Sequence, residues 1–189
     1  MSQIVFIRGE QIDLVVKNIE HIDKYLKWEN DPIIRKYQYK DIPITLEIMK
    51  KKYFSNVRDE KKITLEIWYK KDKVPIGLID FHKIHCKRAE IYICIGEIEY
   101  WGKGIGTEAI DLMLNYGFNT LNYRKIIAKV NENNKRSLKM FKKADFIEFS
   151  LFIKKERMFI DGKWTTAKLL VITNKNYKFK YDRTKEMVN

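Results

Sequence analysis

Residues 100–110 read YWGKGIGTEAI, placing Gly102, Gly104 and Gly106 at every second position with Lys103 among them. Glycine lets a backbone approach a ligand with no Cβ in the way. A helix that starts just after such a bend presents unpaired N–H groups and a positive dipole end. Together these features suit an anion such as a diphosphate. A tight strand-to-helix connection that binds nothing has the same spacing, so both readings stand on the residues alone. Two phosphate motifs fail here. A dinucleotide fingerprint needs a third glycine where Thr107 stands, and a P-loop needs its lysine after the glycines, whereas Lys103 precedes Gly104 and Gly106. Cys86 and Cys94 lack C-x-x-C spacing and a histidine cluster, which points to buried free thiols and to no metal.

The flanking sequence supplies elements that can position this bend. QIVFIRG and QIDLVV read as a first strand and its continuation across Gly9. Ile19, Ile22 and Leu26 recur at helical spacing up to a stop at Asn30-Asp31-Pro32, and Thr45 caps a second helix to about Asn56 with Ile48, Met49 and Tyr53 facing inward. ITLEIWY (63–69) and VPIGLIDFH (74–82) form an antiparallel hairpin, and AEIYICIG (89–96) is the next strand. TEAIDLMLNYGFNTL is apolar nearly all round, as a helix packed on a sheet must be. A short strand KIIAKV (125–130) and an amphipathic helix over NKRSLKMFKKADF follow, with Leu138, Phe141 and Ala144 inward. A last hairpin turns at Asp161-Gly162. This order implies an α+β domain around one mixed sheet.

At 189 residues with 45% hydrophobic content, the chain fits a single domain with a real core. It has no run of 18 apolar residues and its N-terminus has no basic region or cleavage site, so a cytoplasmic protein with no membrane partner is expected. The net charge of +13 coincides with abundant lysine, isoleucine, asparagine and tyrosine, a coding bias that needs no nucleic-acid partner; such a partner is not expected. Residues 151–189 hold ten Lys/Arg against four Asp/Glu, and 175–189 reads as a solvated basic tail beyond a domain over 1–174.

Residues 101–109, WGKGIGTEA, match the variant acetyl-CoA loop W-G-K-G-x-A/G-T-E-A position by position. About thirty residues later Asn134-Lys135-Arg136-Ser137 and Phe141-Lys142-Lys143-Ala144-Asp145-Phe146 partly match a second signature, N-x-x-S/A followed by Y-x-K-x-G-F. KWENDPIIRKY and PIGLIDFH fit the same pattern upstream. Over residues 3–173 the chain thus resembles the GNAT N-acetyltransferases, in the branch containing the ribosomal-protein and spermidine acetyltransferases. The resemblance implies a mixed, mostly antiparallel sheet of about seven strands, splayed between the fourth and fifth, flanked by about four helices. It departs from the pattern where tyrosine is replaced by Phe141 and glycine by Asp145.

The resemblance further implies acetyl-CoA as cosubstrate, held by Ile93, Cys94, Ile95, Trp101, Gly102, Lys103, Gly104, Ile105, Gly106, Thr107, Asn134, Ser137, Phe141 and Lys143. In that scheme the amides of 102–107 take the diphosphate with Lys103 as an added cation. An amide among 93–95 polarises the thioester, and Asn134 meets the pantetheine arm. A primary amine then attacks directly. An alkylammonium is neutral in only about one molecule in a thousand at pH 7, so a base is needed; Glu90 is the candidate, ahead of Asp80 and His82. Phenylalanine cannot donate a proton, so Ser137, one turn before Phe141, is the candidate acid. The acceptor side is expected around 25–55 and 150–165, with Trp28, Tyr37, Tyr39, Tyr53, Phe54, Glu29, Asp31 and Asp41. The acceptor is expected to be a protein N-terminus or a small amine. An aminosugar or antibiotic acetyltransferase, or an acyl-CoA-binding protein without turnover, are the alternatives, and monomer or homodimer stays open.

Overall fold

In a computed structural model the protein is described over residues 4–38, 42–149, 157–160 and 163–178. The chain opens with an antiparallel pair, β1 (Val5–Arg8) and β2 (Ile12–Val16), followed by α1 (Ile22–Asn30), α2 (Pro32–Arg35) and α3 (Leu46–Arg58). A meander comes next: β3 (Ile63–Tyr69), β4 (Val74–His85) and β5 (Arg88–Ile95). Then α4 (Ile105–Asn115), β6 (Lys125–Asn131) and α5 (Lys135–Lys143) lead to β7 (Ile147–Glu148), β8 (Arg157–Ile160) and β9 (Lys163–Thr173). The strand order is β1-β2-β3-β4-β5-β6-β9-β7, with β8 on β9, and only β5 and β6 run parallel.

The expected mixed, mostly antiparallel sheet is present, with nine strands among the described residues where about seven were expected. The first expected strand is two, because Gly9 N donates back to Ile12 O at 2.9 Å and folds the segment on itself. Glu108 holds that turn: its fully buried carboxylate accepts from the amides of Glu10 at 2.7 Å and Gln11 at 3.0 Å and from the Gln11 side chain at 3.2 Å. At Asp31 the expected stop is also a restart. Its carboxylate caps Ile33 and Ile34, and Pro32 sits at the first position of α2, where its missing N–H costs nothing.

Helix α4 is buried along Ile105, Ala109, Ile110, Leu112, Met113 and Leu114, against Leu14, Ile67, Ile79, Phe81 and Ile126 of the sheet. At about 1.5–3 kcal/mol for each large side chain, this layer anchors the glycine bend that precedes it. The opposite face carries a second core of Ile22, Tyr25, Trp28, Ile34, Met49 and Tyr53. Ile48, expected inside, is exposed at 43%. The core also reaches past residue 174: Tyr177 packs on Phe118 and donates to Asp111 O at 3.1 Å, so the start of the expected tail belongs to the domain. Residues 179–189 and the turn Asp161-Gly162 lie outside the described residues.

Candidate active site

β5 and β6, the fourth and fifth strands of the sequence reading, pair only at Arg88↔Lys125, Ala89↔Ile126 and Glu90↔Ile127. Beyond these pairs β5 follows β4 and β6 follows β9, leaving a wedge about 16 Å long at about 3.3 Å per residue. Gly96 N donates to Ile76 O at 2.8 Å, which sets the phase of the antiparallel ladder between β4 and β5. By alternation the amide of Cys94 turns to β4, while those of Ile93 and Ile95 turn into the wedge. Trp101 Nε1 confirms the phase by donating to Ile95 O at 2.8 Å. Of the three expected carbonyl-polarising positions, Ile93 and Ile95 therefore offer an amide to the wedge, and Cys94 offers its side chain.

The glycine bend closes one end of the wedge. Gly102 and Gly104 have φ of 81° and 84°, the left-handed region that glycine occupies without strain, and Gly104 is the N-cap of α4. Thr107 and Glu108 return their amides to Gly104 O, and no turn or cap bond uses the amides of Gly102 to Gly106 among the described residues. Gly106 has a packing reason: a Cβ there would stand 2.5 Å from Met140 Sδ of α5. Asp145, in the place of the family glycine, still takes a φ of 63°, so the chain leaves α5 as a glycine would.

A cavity of about 390 Å³ fills the wedge. It is lined by Ile91 to Ile95, by Tyr100 to Gly102 and Gly104 to Thr107, and by Lys129, Val130 and Asn131 of β6. Asn134, Arg136, Ser137, Lys139, Met140, Phe141 and Lys143 line it from α5, and Ile34, Tyr37 and Gln38 from the α2 side. Every expected cofactor residue except Lys103 lines it. The Lys103 ammonium lies over the Tyr100 ring at 5.0 Å instead. Asn134 Oδ1 accepts from Ser137 N at 3.0 Å and so caps α5 from within the cavity wall. Phe141 is buried edge-on against Phe146, with ring centroids 5.0 Å apart.

Three contributors were missed in the sequence. Arg136 stacks its guanidinium 3.3 Å from the Trp101 ring centre, joining α5 to the glycine bend. Burial lowers its pKa, against the raising influence of Tyr37 and Cys94. Asn131 ends β6 with its Oδ1 accepting from Asn133 N at 2.9 Å. Gln38 donates from Nε2 to the Tyr92 hydroxyl at 2.8 Å and lies 3.8 Å from Cys94 Sγ, while its Oε1 is buried with no partner. Only periodicity along β5, which puts 90, 92 and 94 on one face, hinted at this group. Tyr92 is 36% exposed, yet burial among its neighbours, then the Cys94 thiol, raises its phenol well above the ordinary range.

The expected base does not line the main cavity. Glu90 lies at the paired root of the wedge, with Lys83 at 3.0 Å, His82 Nε2 at 3.4 Å and Lys129 at 3.5 Å. Burial favours its neutral form, but the Lys83 hydrogen bond and the Lys129 charge outweigh that and hold Glu90 below the usual carboxylate range. His82 Nδ1 meets Asp80 at 2.8 Å, and Lys62 meets the other Asp80 oxygen at 3.6 Å. Of the expected acceptor-side residues that are described, only Tyr37 lines the cavity. Trp28 and Tyr53 belong to the helical core, Glu29 is bound by Lys52 at 2.7 Å, Asp31 caps α2, and Phe54 is exposed beside Lys50 and Lys51. Tyr39 and Asp41 lie outside the described residues. Among the described residues no group of three or more His, Cys, Asp or Glu could hold a metal, and no helix is long and apolar enough to cross a membrane.

A parallel strand pair opened at one end, with a glycine-bent helix start at its mouth, is the arrangement that the resemblance implies for a coenzyme A-dependent acyltransferase. The family model described as an acetyltransferase (GNAT) domain matches residues 14–147. The chain belongs to this GNAT acetyltransferase family, and acetyl-CoA is the cosubstrate. It is 29% identical over 162 residues to human alpha/beta-tubulin-N-acetyltransferase 9, covering 77% of each chain. It is 32% identical over 103 residues to Escherichia coli spermidine N(1)-acetyltransferase, covering 54% of this chain and 53% of that one. A 27% match to an uncharacterized Methanocaldococcus jannaschii protein covers 73% of this chain and only 29% of that one. The fold matches spermidine N-acetyltransferase from Vibrio cholerae in complex with CoA and spermine, with a TM-score of 0.80 at 23% identity over 88% of this chain and 98% of that one.

Proposed function

We propose that the chain transfers the acetyl group of acetyl-CoA to a singly charged amine of low pKa, the α-amine of a polypeptide, and not to a polyamine. One observation carries this reading: the cavity wall holds Lys129, Arg136, Lys139 and Lys143 and, among the described residues, no carboxylate. The carboxylates behind the wall are matched already, Glu29 by Lys52, Asp80 by Lys62 and His82, Glu90 by Lys83 and Lys129, and Glu97 by Lys27 at 2.7 Å. A polycation gains nothing from such a surface, since bringing like charge to it costs free energy. A base as weak as Glu90 also favours an acceptor that loses its proton readily. An α-amine of pKa about 7.7–8.0 is neutral in roughly one molecule in ten at pH 7, against about one in a thousand for an alkylamine.

In this scheme the nitrogen lone pair attacks the thioester carbon while the developing oxyanion is received by the Ile93 or Ile95 amide. The C–S bond breaks, its electron pair goes to sulfur, and Ser137 relays a proton to the thiolate, regaining one from water as it does so. The nitrogen's proton passes to water near His82 and Glu90. Two free thiols, Cys86 and Cys94, agree with a cytoplasmic setting, with the protein as monomer or homodimer. The test is thiol release from acetyl-CoA with three acceptors: a peptide with a free α-amine, the same peptide blocked at that end but bearing a lysine, and spermidine. The free α-amine is expected to be turned over fastest by at least tenfold, and a higher kcat/KM for spermidine would refute the assignment.

A further inference from the structure

Gln38 lines the cavity from the α2 side, across from the glycine bend and α5. The turn after α2 fixes its backbone, with Gln38 N donating to Arg35 O at 2.8 Å, and the buried Ile34 seats that turn in the helical core. Its Nε2 is held by the Tyr92 hydroxyl at 2.8 Å, with Cys94 Sγ at 3.8 Å; both partners lie on the unpaired stretch of β5. A carboxamide is planar, so pinning its nitrogen also fixes the direction of its oxygen. That oxygen is buried, has no partner, and belongs to a side chain lining the cavity. An unsatisfied buried acceptor costs about 1–3 kcal/mol, which a ligand N–H would recover. On the same strand the amides of Ile93 and Ile95 face the wedge, where the acetyl carbonyl sits in the reading above.

We propose that Gln38 binds the acceptor amine: its Oε1 accepts a hydrogen from the incoming nitrogen and aims the lone pair at the acetyl carbon. A neutral acceptor oxygen suits a nitrogen that must be uncharged to attack. A carboxylate in its place would stabilise the unreactive ammonium form. Tyr92 and Cys94 act as positioning residues that hold the carboxamide. The proposal rests on the transferase reading, and its test keeps the two apart.

Hydroxylamine serves as the probe acceptor, since it is a small nitrogen nucleophile, largely unprotonated at pH 7, that needs only the reacting site. With acetyl-CoA saturating, Gln38→Met, which keeps the length and removes the acceptor oxygen, is expected to lower kcat/KM for hydroxylamine at least tenfold. Its dissociation constant for coenzyme A, measured by calorimetry, stays within twofold of the wild-type value. Gln38→Glu keeps an acceptor oxygen and is expected to retain at least a third of the wild-type kcat/KM. Wild-type kcat/KM in Gln38→Met overturns the proposal. So does an equal loss in both variants, which would assign the effect to the bond with Tyr92, and so does a parallel loss of coenzyme A affinity. A wild-type protein that binds coenzyme A yet releases no thiol above the uncatalysed rate refutes the transferase reading itself.

Discussion

On the α5 side of the cleft, the groups that face a ligand are main chain and cations. The bend at Gly102 and Gly104 presents amides, and Arg136, Lys139 and Lys143 stand along α5. On the α2 and β4 side, carboxylates and cations are present in near balance and pair with one another, as at Asp80 with Lys62 and at Glu90 with Lys83, and a neutral carboxamide, Gln38, meets the cavity. The first wall suits a ligand whose charge is fixed, a diphosphate. The second suits a group whose charge must change during the reaction, an ammonium that becomes an amide. The difference teaches that a strongly basic chain can hold both kinds of surface within one wedge, and that net charge describes neither.

The largest expected effect tests the main-chain wall. Gly104→Val forces a β-branched residue to a φ of 84°, a strain of roughly 1–2 kcal/mol with displacement of the amides around it. Calorimetry is expected to show coenzyme A affinity reduced at least thirtyfold. Wild-type affinity would mean that the cations of α5, and not backbone shape, hold the cosubstrate. Next in size, Ser137→Ala is expected to lower kcat at least tenfold at saturating acetyl-CoA, and unchanged turnover would remove Ser137 from the chemistry.

The neutralised wall predicts smaller effects. Glu90→Gln is expected to lower kcat for an α-amine acceptor less than fivefold, because a carboxylate held below its usual range by Lys83 and Lys129 takes a proton poorly. Its folded pKa is depressed, so its stabilising charge is complete above the unfolded value and is lost only as pH falls through the lower folded one. Glu90 is therefore expected to make the wild-type thermal midpoint fall more steeply than that of Glu90→Gln as pH drops below the usual carboxylate value of 4.5, and equal slopes there would contradict the pairing. The smallest effect concerns Lys17, which lies over the Tyr25 and Tyr53 rings at 4.5 and 4.9 Å. Burial, then the nearby Lys62 charge, lowers its pKa to about 8. The folded state therefore binds fewer protons than the unfolded state between pH 8 and 10.5, and stability rises with pH there. Lys17→Met is expected to flatten that rise in the thermal midpoint by a few degrees or less.

The legible parts of the molecule were those whose physics is local. Thr45 caps α3 as its position suggests, and the glycine spacing marks a bend that does occur, because caps and turns are decided within a few residues. Glu108 shows where that reach ends. Its place in the glycine motif looked like part of the ligand loop, yet its carboxylate holds the turn near residue 10, 98 residues away. Glu90 likewise was expected as the base, and its neutralisation was not legible because Lys83 and Lys129 reach it from two other segments of the chain.

The sequence by itself determined the class of fold and the glycine bend at the mouth of the wedge, because alternating and helical periodicities, caps and glycines fix local backbone shape. The tertiary structure alone decided which amides of β5 enter the wedge, which carboxylates are neutralised, and that Gln38 meets Tyr92 across 54 residues of chain. Those depend on strand register and on side chains converging from distant segments, and the free energy of such a contact is a property of the pair and its surroundings that neither stretch of sequence carries alone.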